Sequence, residues 1–150
     1  MYRHRSRKPL DIADLEPLFR AVYDMLKTGG IFVFSSVHPC FQTPNMRKFT
    51  EINDYTGESY LRMGIQTYEY IQPKEHMTTA LARNGKQVFH FHRPLSTIMN
   101  ICFDIGFILD GMEEPVFRKP EDAVQFDWYE IPPSIILRMR KGYQQVYPGG

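Results

Sequence analysis

The segment at residues 15–41 constrains the fold most, because a helical pattern there runs into a sharp stop and then into an apolar run. The apolar residues at the spacing of one helix face are Leu15, Leu18, Phe19, Val22, Tyr23 and Leu26. Asp11 and Asp14 can cap the start of such a helix. Lys27 complements the helix dipole at the other end, where Gly29 supplies a left-handed residue. The pattern predicts an amphipathic helix with a sharp end.

Residues 31–34, which follow the helix stop, are apolar without alternation. Such a run is typical of a strand covered on both faces, as in a parallel sheet flanked by helices. A buried helix segment is the alternative, but the run is too short for one. His38 lies in the polar cluster that comes next. Since ligands in open α/β sheets bind outside the carboxyl ends of strands, His38 is the first candidate for a functional residue.

Composition limits the class of protein. The 150 residues are 43% hydrophobic and 14% aromatic, which is enough material for one domain with its own core. A net charge of +1 gives no global attraction to nucleic acid or to an anionic membrane. Cys40 and Cys102 form no CxxC pair, which indicates a reduced protein without a disulfide framework or zinc site. No apolar run has the length of a membrane span and no signal-peptide pattern is present, so we expect a cytoplasmic protein.

Two stretches of the chain carry no helical period. Residues 1–10 are basic with little to bury and indicate a solvated arm; a nucleic-acid-binding arm is the alternative, but it lacks an aromatic stacking platform. Residues 38–92 predict a lid or a substrate-side insertion. Within it, alternation at residues 65–71 and 86–92 predicts a small antiparallel pair. Residues 77–82, between these runs, are compatible with a helical turn.

The second half of the chain predicts one more helix and two more strands. Pro94 suits the first position of the helix, and Gly106 ends it. The buried stripe of this helix comprises Leu95, Ile98, Met99, Cys102 and Ile105. Residues 107–112 and 134–139 are predicted strands, separated by a proline-rich irregular stretch, and residues 142–150 form a tail.

The order of these pieces resembles the C-terminal half of class I S-adenosylmethionine-dependent methyltransferases of small-molecule type. The pieces that carry the resemblance are Leu26-Lys27-Thr28-Gly29-Gly30, His38-Pro39-Cys40-Phe41, His92-Arg93-Pro94-Leu95, Gly106-Phe107 and Glu114-Pro115. The resemblance covers about residues 11–141 and implies an α/β half-domain with part of a Rossmann-like sheet. Residues 31–36, 107–112 and 134–139 would be the last three strands of that sheet. The final strand would run antiparallel between the other two.

The resemblance also implies S-adenosylmethionine as the cofactor of the full-length family, held at a glycine-rich turn in the other half. This sequence contains no GxGxG, and Gly29-Gly30 precedes a strand where a nucleotide-binding turn would follow one. We therefore expect a fragment, a truncated product or a half-length paralogue that has no cofactor-binding residues and is inactive alone. One side of the strand at residues 31–34 would be unpaired, which predicts a homo-oligomer formed through an exposed sheet edge.

His38 is the predicted catalytic residue, because an imidazole at a strand end can act as a base or as a hydrogen-bond partner of a substrate. The predicted substrate-binding residues are His38, Phe41, Tyr60, Tyr68, His92 and Arg93. Three structural alternatives stay open: His38 can fix the turn before Pro39, His92 can cap the second helix, and the tyrosines can form a second core. His90 and His92 share a strand face at the spacing of a two-histidine metal site, but nothing completes one, so no metal is predicted.

Glu113 and Glu114 are neighbours at the end of a predicted strand, so their side chains point to opposite faces. We expect no paired-carboxylate site there, with one of the two facing solvent. The functional prediction is the C-terminal part of a methyltransferase that acts on a small molecule and contributes the substrate lid. The alternative is a non-catalytic half-domain that self-associates or pairs with another chain.

Overall fold

The computed structural model describes residues 12–53, 60–79, 87–118 and 128–142. The helices are α1 (Glu16–Met25) and α2 (Leu95–Ile105). The strands are β1 (Ile31–Val37), β2 (Arg47–Asn53), β3 (Tyr60–Gln66), β4 (Lys74–Thr79), β5 (Gln87–His92), β6 (Phe107–Glu113) and β7 (Ser134–Lys141). The predicted arm at residues 1–10 and the tail after residue 142 lie outside the described residues.

Helix α1 begins as predicted and ends earlier than predicted. The Asp14 carboxylate accepts a hydrogen bond from the Glu16 amide at 3.1 Å, and this satisfies a donor in the first turn; Asp11 lies outside the described residues. The last helical residue is Met25, and Gly29 has the predicted left-handed conformation, with φ of 74°. The helix therefore ends abruptly after Met25, as expected, and the chain reaches the left-handed Gly29 only after a turn of several residues.

The positive charge at the end of α1 comes from a distant residue and not from Lys27. The Lys141 ammonium donates to the carbonyls of Tyr23 and Leu26 at 2.8 and 2.9 Å, and it lies 4.4 Å from the centre of the Tyr23 ring. The ammonium therefore places a positive charge at the C-terminal end of the helix, where the helix dipole favours one. The end of β7 is thereby fixed to the end of α1.

Strands β1, β7 and β6 form one sheet in that order, and β7 is antiparallel to both neighbours. The three strands predicted in the layer, and the position of the last one between the other two, are thus observed. The hydrogen-bonded pairs are antiparallel, not parallel. Because β1 and β6 both oppose β7, their carboxyl ends lie at the same edge as the start of β7.

One face of this sheet carries the core. The two helices pack against it together, and the buried cluster comprises Leu15, Phe19, Phe34, Ile98, Met99, Cys102, Ile105, Phe107, Ile135, Leu137 and Met139. Phe19 illustrates the packing: its ring centre lies 5.6 Å from that of Phe32 and 5.0 Å from that of Phe34. Aromatic and aliphatic side chains from both helices and all three strands therefore form a single layer interface.

The prediction that residues 31–34 are covered on both faces is wrong for the described part of the chain. Burial alternates along β1: Phe34 is 8% exposed, whereas Val33 is 55% exposed. Both helices lie on the inner face, so the outward side chains stay in contact with solvent. On that outer face the Asp110 carboxylate pairs with Arg138 and Arg140.

The insertion consists of two antiparallel hairpins, β2–β3 and β4–β5. The predicted pairing of residues 65–71 with 86–92 is wrong, because β3 pairs with β2 and β5 pairs with β4. Each strand joins its nearest neighbour in sequence, which costs less loop-closure entropy than the longer connection. The helical turn at residues 77–82 is also wrong where it can be checked, since Met77 to Thr79 end β4; residues 80–82 lie outside the described part.

Candidate functional site

Polar side chains gather at the sheet edge where β1 and β6 end and β7 begins. His38 follows β1 directly, Glu114 follows β6, and Pro133 precedes β7. The His38 amide donates to the Pro133 carbonyl at 2.9 Å. This hydrogen bond extends the β1–β7 ladder past the last strand residue and places the histidine at the edge where α/β sheets bind ligands.

Both ring nitrogens of His38 are occupied. Nδ1 accepts a hydrogen bond from the Cys40 amide at 3.2 Å, so the ring proton of neutral His38 lies on Nε2. That proton is donated to Glu114 Oε1, at 2.6 Å from Nε2. His38 is buried and the Glu114 side chain is half exposed. The pair therefore presents a carboxylate to solvent with a buried imidazole behind it.

Glu114 is the candidate site residue that the sequence interpretation missed. Glu113 ends β6 with its side chain exposed, as expected for one of the two glutamates, but Glu114 reaches across β7 to His38. The signal was available: two strands on either side of an antiparallel strand are parallel to each other, so the residues after both strands meet at one edge.

The turn after His38 is held by its own backbone and by Pro133. The Gln42 amide donates to the His38 carbonyl at 2.9 Å, and the Gln42 side chain donates to the Pro133 carbonyl. The Phe41 ring lies against the imidazole, with 4.4 Å between ring centres. Phe41, a predicted substrate-binding residue, is thus in contact with the predicted catalytic residue, and its role toward a substrate stays a prediction.

Tyr70 links the insertion to the start of α2. Its hydroxyl accepts a hydrogen bond from the Leu95 amide at 3.0 Å, and its carbonyl accepts one from His92 Nε2 at 2.8 Å. No side chain of the flanking residues caps α2, so Tyr70 takes the capping role that was considered for His92. The Cys40 thiol lies 3.6 Å from the same hydroxyl. Burial is the largest cause of the raised pKa of Tyr70.

His92 and Arg93 are both engaged with the protein backbone. His92 is fully buried beside Tyr70. The Arg93 guanidinium donates to the carbonyls of Ile12 and Ala13, just before α1, and burial lowers its pKa. These contacts join the end of β5 to the start of α1. They account for both residues structurally, and the substrate-binding role of each stays a prediction.

Tyr68 lines an open groove between the turn before β2 and the turn after β3. Its amide donates to Thr43 Oγ1 at 3.4 Å, and its ring is 43% exposed. Tyr60 begins β3 opposite Asn53, but its side chain lies outside the described residues. The structure therefore brings together His38 and Phe41, with Glu114, and places Tyr68 in the wall of the groove.

The histidines of the second hairpin form a cross-strand pair. His76 lies opposite His90, with ring centres 4.8 Å apart, and Lys74 lies opposite His92. Burial is the main cause of the lowered pKa of His76. Across the described ranges no group of three potential metal ligands is present.

The only adjacent glycines of the described chain do not fit a nucleotide. The Gly29 amide donates to the Lys141 carbonyl at 3.0 Å, and the Gly30 amide donates to the Lys27 carbonyl at 2.8 Å. A phosphate or nucleotide cradle needs free backbone N–H groups, and these two are used within the protein. Residues that would bind S-adenosylmethionine through such a turn are not found in the part of the chain that is described.

Neither described helix has the length and apolar character needed to cross a bilayer.

Cys40 and Cys102 are both free thiols, and burial raises the pKa of Cys102 to about 12. Cys102 therefore behaves as a small core residue.

No family model and no curated protein matches the chain. Solved structures do match. A Listeria monocytogenes protein assigned to the S-adenosylmethionine-dependent methyltransferases superposes with a TM-score of 0.65 and 25% identity, over 90% of this chain and 58% of that one. An S-adenosylmethionine-dependent methyltransferase from Mesorhizobium loti gives a TM-score of 0.65 and 26% identity, over 87% of this chain and 57% of that one.

The chain thus spans less than three fifths of the length of the solved structures it matches. The resemblance found in the sequence motifs and the structural match agree: the chain is similar to part of a class I S-adenosylmethionine-dependent methyltransferase.

Proposed function

We propose that this chain is the acceptor-side, C-terminal part of a cytoplasmic S-adenosylmethionine-dependent methyltransferase that acts on a small molecule. The observation that carries the proposal is the match to two such methyltransferases over about nine tenths of the chain. In this proposal β1, β6 and β7 are the last three strands of a Rossmann-like sheet. The two hairpins form the lid over the substrate.

His38 and Glu114 are the residues proposed to handle the proton of the methyl acceptor. An O–H or N–H nucleophile that donates its electron pair to the methyl carbon loses its proton before or after the transfer. The half-exposed Glu114 carboxylate can accept that proton, while the donated hydrogen bond from His38 fixes its position. His38 is then a positioning residue that acts through Glu114, and Phe41 keeps its ring in place.

S-adenosylmethionine supplies the methyl group in the related enzymes, but we propose that this chain alone does not bind it. The amides of Gly29 and Gly30 are consumed within the protein, which supports this part of the proposal. The cofactor site would then come from a further polypeptide segment, and no step of the reaction is assigned to the cofactor here.

Calorimetry tests the proposal with a chimera. The chain is joined to the part of the Listeria monocytogenes protein that the structural match leaves out, and S-adenosylmethionine is titrated into the chimera, the chain and the added part alone. We expect binding by the chimera and no heat from the chain. Binding by the chain alone would contradict the missing cofactor half. A folded chimera without affinity for the cofactor would contradict the methyltransferase assignment.

The second candidate function is self-association without catalysis, and one observation favours it. Within the described residues β1 pairs only with β7, so its other edge carries open backbone groups beside the exposed side chains of Ile31 and Val33. Such an edge is a template for another strand. If a second copy pairs there, Val33→Glu should shift a dimer toward monomer in light scattering, and Arg138, opposite Val33, keeps the new charge tolerable. A wild-type chain that is monomeric at micromolar concentration would argue against this candidate.

A further inference from the structure

A groove of about 650 Å³ lies between the turn that precedes β2 and the turn that follows β3. The side chains that line it are Pro44, Asn45, Met46, Arg47, Tyr68 and Glu69. The second turn is joined to the segment after β1 by the contact between the Tyr70 hydroxyl and the Cys40 thiol. The groove is therefore built on the same stretch of chain that carries His38.

The two walls of the groove are bonded to each other. Thr43 is buried and accepts hydrogen bonds from the amides of Met46 and Tyr68, at 3.2 Å to its carbonyl and 3.4 Å to its hydroxyl. Asn45 on the first turn donates to the Glu69 carboxylate on the second. Glu69 also has a left-handed backbone, with φ of 51°, a conformation uncommon outside glycine and asparagine. These contacts hold the groove open without a ligand.

The charges in the groove are unequal in their pairing. The Glu69 carboxylate accepts from Lys74 at 2.8 Å as well as from Asn45, and the hydrogen bond from Lys74 is the largest cause of its lowered pKa. Arg47 lines the same groove, and its guanidinium has no acidic partner in the described ranges of the chain. The groove thus contains the Glu69 carboxylate, which is paired with Lys74, and the Arg47 guanidinium, which can bind an anion.

A guanidinium recognises a planar oxyanion through paired N–H donors, and an exposed aromatic ring offers a flat apolar surface beside it. Arg47 and Tyr68 supply these two features. One guanidinium matches one negative charge, which favours a carboxylate over a phosphate dianion. We propose that the groove binds a small planar carboxylate, with Arg47 on the carboxylate and the Tyr68 ring against the flat part of the molecule. The further step, that this molecule is the methyl acceptor, rests on the proposed function.

Binding is measured on the full chain labelled with ¹⁵N, with benzoate and benzamide as probes. Benzoate is expected to shift the amide resonances of residues 45–47 and 68–69. Benzamide keeps the ring and loses the charge, so its affinity should be about tenfold lower, as expected for the loss of a charged hydrogen bond. Arg47→Gln should lower the benzoate affinity about tenfold and leave the benzamide affinity unchanged.

Two further variants control the measurement. Arg20 is an exposed arginine on α1 that is already paired with Glu16, so Arg20→Gln should leave benzoate binding unchanged. Arg47→Lys keeps the positive charge but loses the planar guanidinium with its paired N–H donors. Its benzoate affinity should therefore lie between those of wild type and Arg47→Gln. The spectra themselves report whether each variant is folded.

Equal affinities for benzoate and benzamide would overturn the proposal. An Arg47→Gln variant that binds benzoate as tightly as wild type would also overturn it, and so would resonance changes that map to residues outside the groove. No cofactor is present in this titration, so its result is independent of the calorimetric test. If the chimera binds no cofactor but Arg47→Gln still lowers the benzoate affinity, only the proposed function is overturned. A chimera that binds the cofactor, together with equal affinities of the chain for benzoate and benzamide, would overturn the groove assignment alone.

Discussion

The sheet layer, formed by α1, α2, β1, β6 and β7, and the two hairpins of the insertion are held together by different forces. Every residue of the buried hydrophobic cluster belongs to the sheet layer or to Leu15, directly before α1. In the hairpins, large apolar side chains stay exposed, among them Phe49, Ile52, Met77 and Phe89. The layer is thus stabilised by apolar burial, whereas the hairpins depend on backbone ladders and a few polar contacts.

The two candidate sites lie in different regions of this comparison. Segments with few buried apolar contacts open at lower free energy than a packed core, and binding regions are often drawn from them. The candidate groove lies on the hairpin side, while the pair of His38 and Glu114 is fixed to the sheet. Under the proposed function, the sheet carries the proton-handling pair and the hairpin side carries the substrate groove.

The largest expected effect sharpens this contrast directly. Phe19 is fully buried between Phe32 and Phe34, so Phe19→Ala should lower the free energy of unfolding by about 3–5 kcal/mol. Phe89, 57% exposed in β5, is the matched control, and Phe89→Ala should cost less than about 1 kcal/mol. Denaturant unfolding measures both. Similar losses for the two variants would mean that the hairpins share the core.

The next effect compares two glycines. Gly106 ends α2 with φ of 104°, where a side chain is strained, and a Cβ would lie 3.0 Å from the Tyr23 hydroxyl. Gly106→Ala should therefore cost about 1–3 kcal/mol. Gly64 in β3 faces the exposed Phe49 ring across the hairpin, and that ring can turn away from a new Cβ. Gly64→Ala should change stability by less than about 1 kcal/mol. Thermal unfolding measures the loss of stability in both variants, and a larger loss of stability for Gly64→Ala would contradict the comparison.

The two regions also differ in how far the sequence predicts them. Both helices and the three strands of the sheet layer follow from apolar spacing, because each has a single large surface to bury. The hairpins do not. Alternation at residues 86–92 marks β5 but not its partner, and of the strand expected at residues 65–71 only residues 65 and 66 belong to β3. The partner strands β2 and β4 are polar enough to resemble loops. The exposure of Val33 was missed because a continuous apolar run does not say which neighbours are present.

The candidate site shows the same division. The position of His38 follows from the strand that precedes it, since a strand's carboxyl end is predictable from local pattern. Its partner Glu114 lies 76 residues away and depends on the order of strands in the sheet. Tyr70 could not be assigned as the cap of α2 from sequence, because capping by a side chain from a distant segment has no local spacing.

A third prediction tests how strongly the hairpins are coupled to the sheet layer. Tyr70→Phe removes the acceptor of the Leu95 amide at the start of α2, which should cost about 1–2 kcal/mol and speed hydrogen exchange in the first turn of that helix. Tyr68, two residues earlier with an exposed ring, is the matched control, and Tyr68→Phe should leave both quantities unchanged. If Tyr70→Phe alters exchange only within the hairpins, the coupling to α2 is absent.

The smallest expected effect is a pH dependence confined to the second hairpin. Burial, with the nearby charges of His92 and Lys74, lowers the pKa of His76 below its ordinary 6.5, and His90 faces it across the strands. The unfolded hairpin then binds more protons than the folded one just below pH 6.5, so the stability of β4–β5 is complete above that pH and falls on acidification.

Hydrogen exchange measures this dependence once intrinsic rates are corrected for pH. Protection in β4–β5 should decrease between pH 7 and pH 5.5, a range chosen about the ordinary histidine pKa, while protection in the β1–β7 ladder stays constant. His76→Gln removes the titrating group and should flatten the response of the hairpin. An unchanged response in that variant would show that His76 is not the group responsible for the pH dependence. Equal responses in both ladders would show that acid weakens the two regions together, against the separation drawn above.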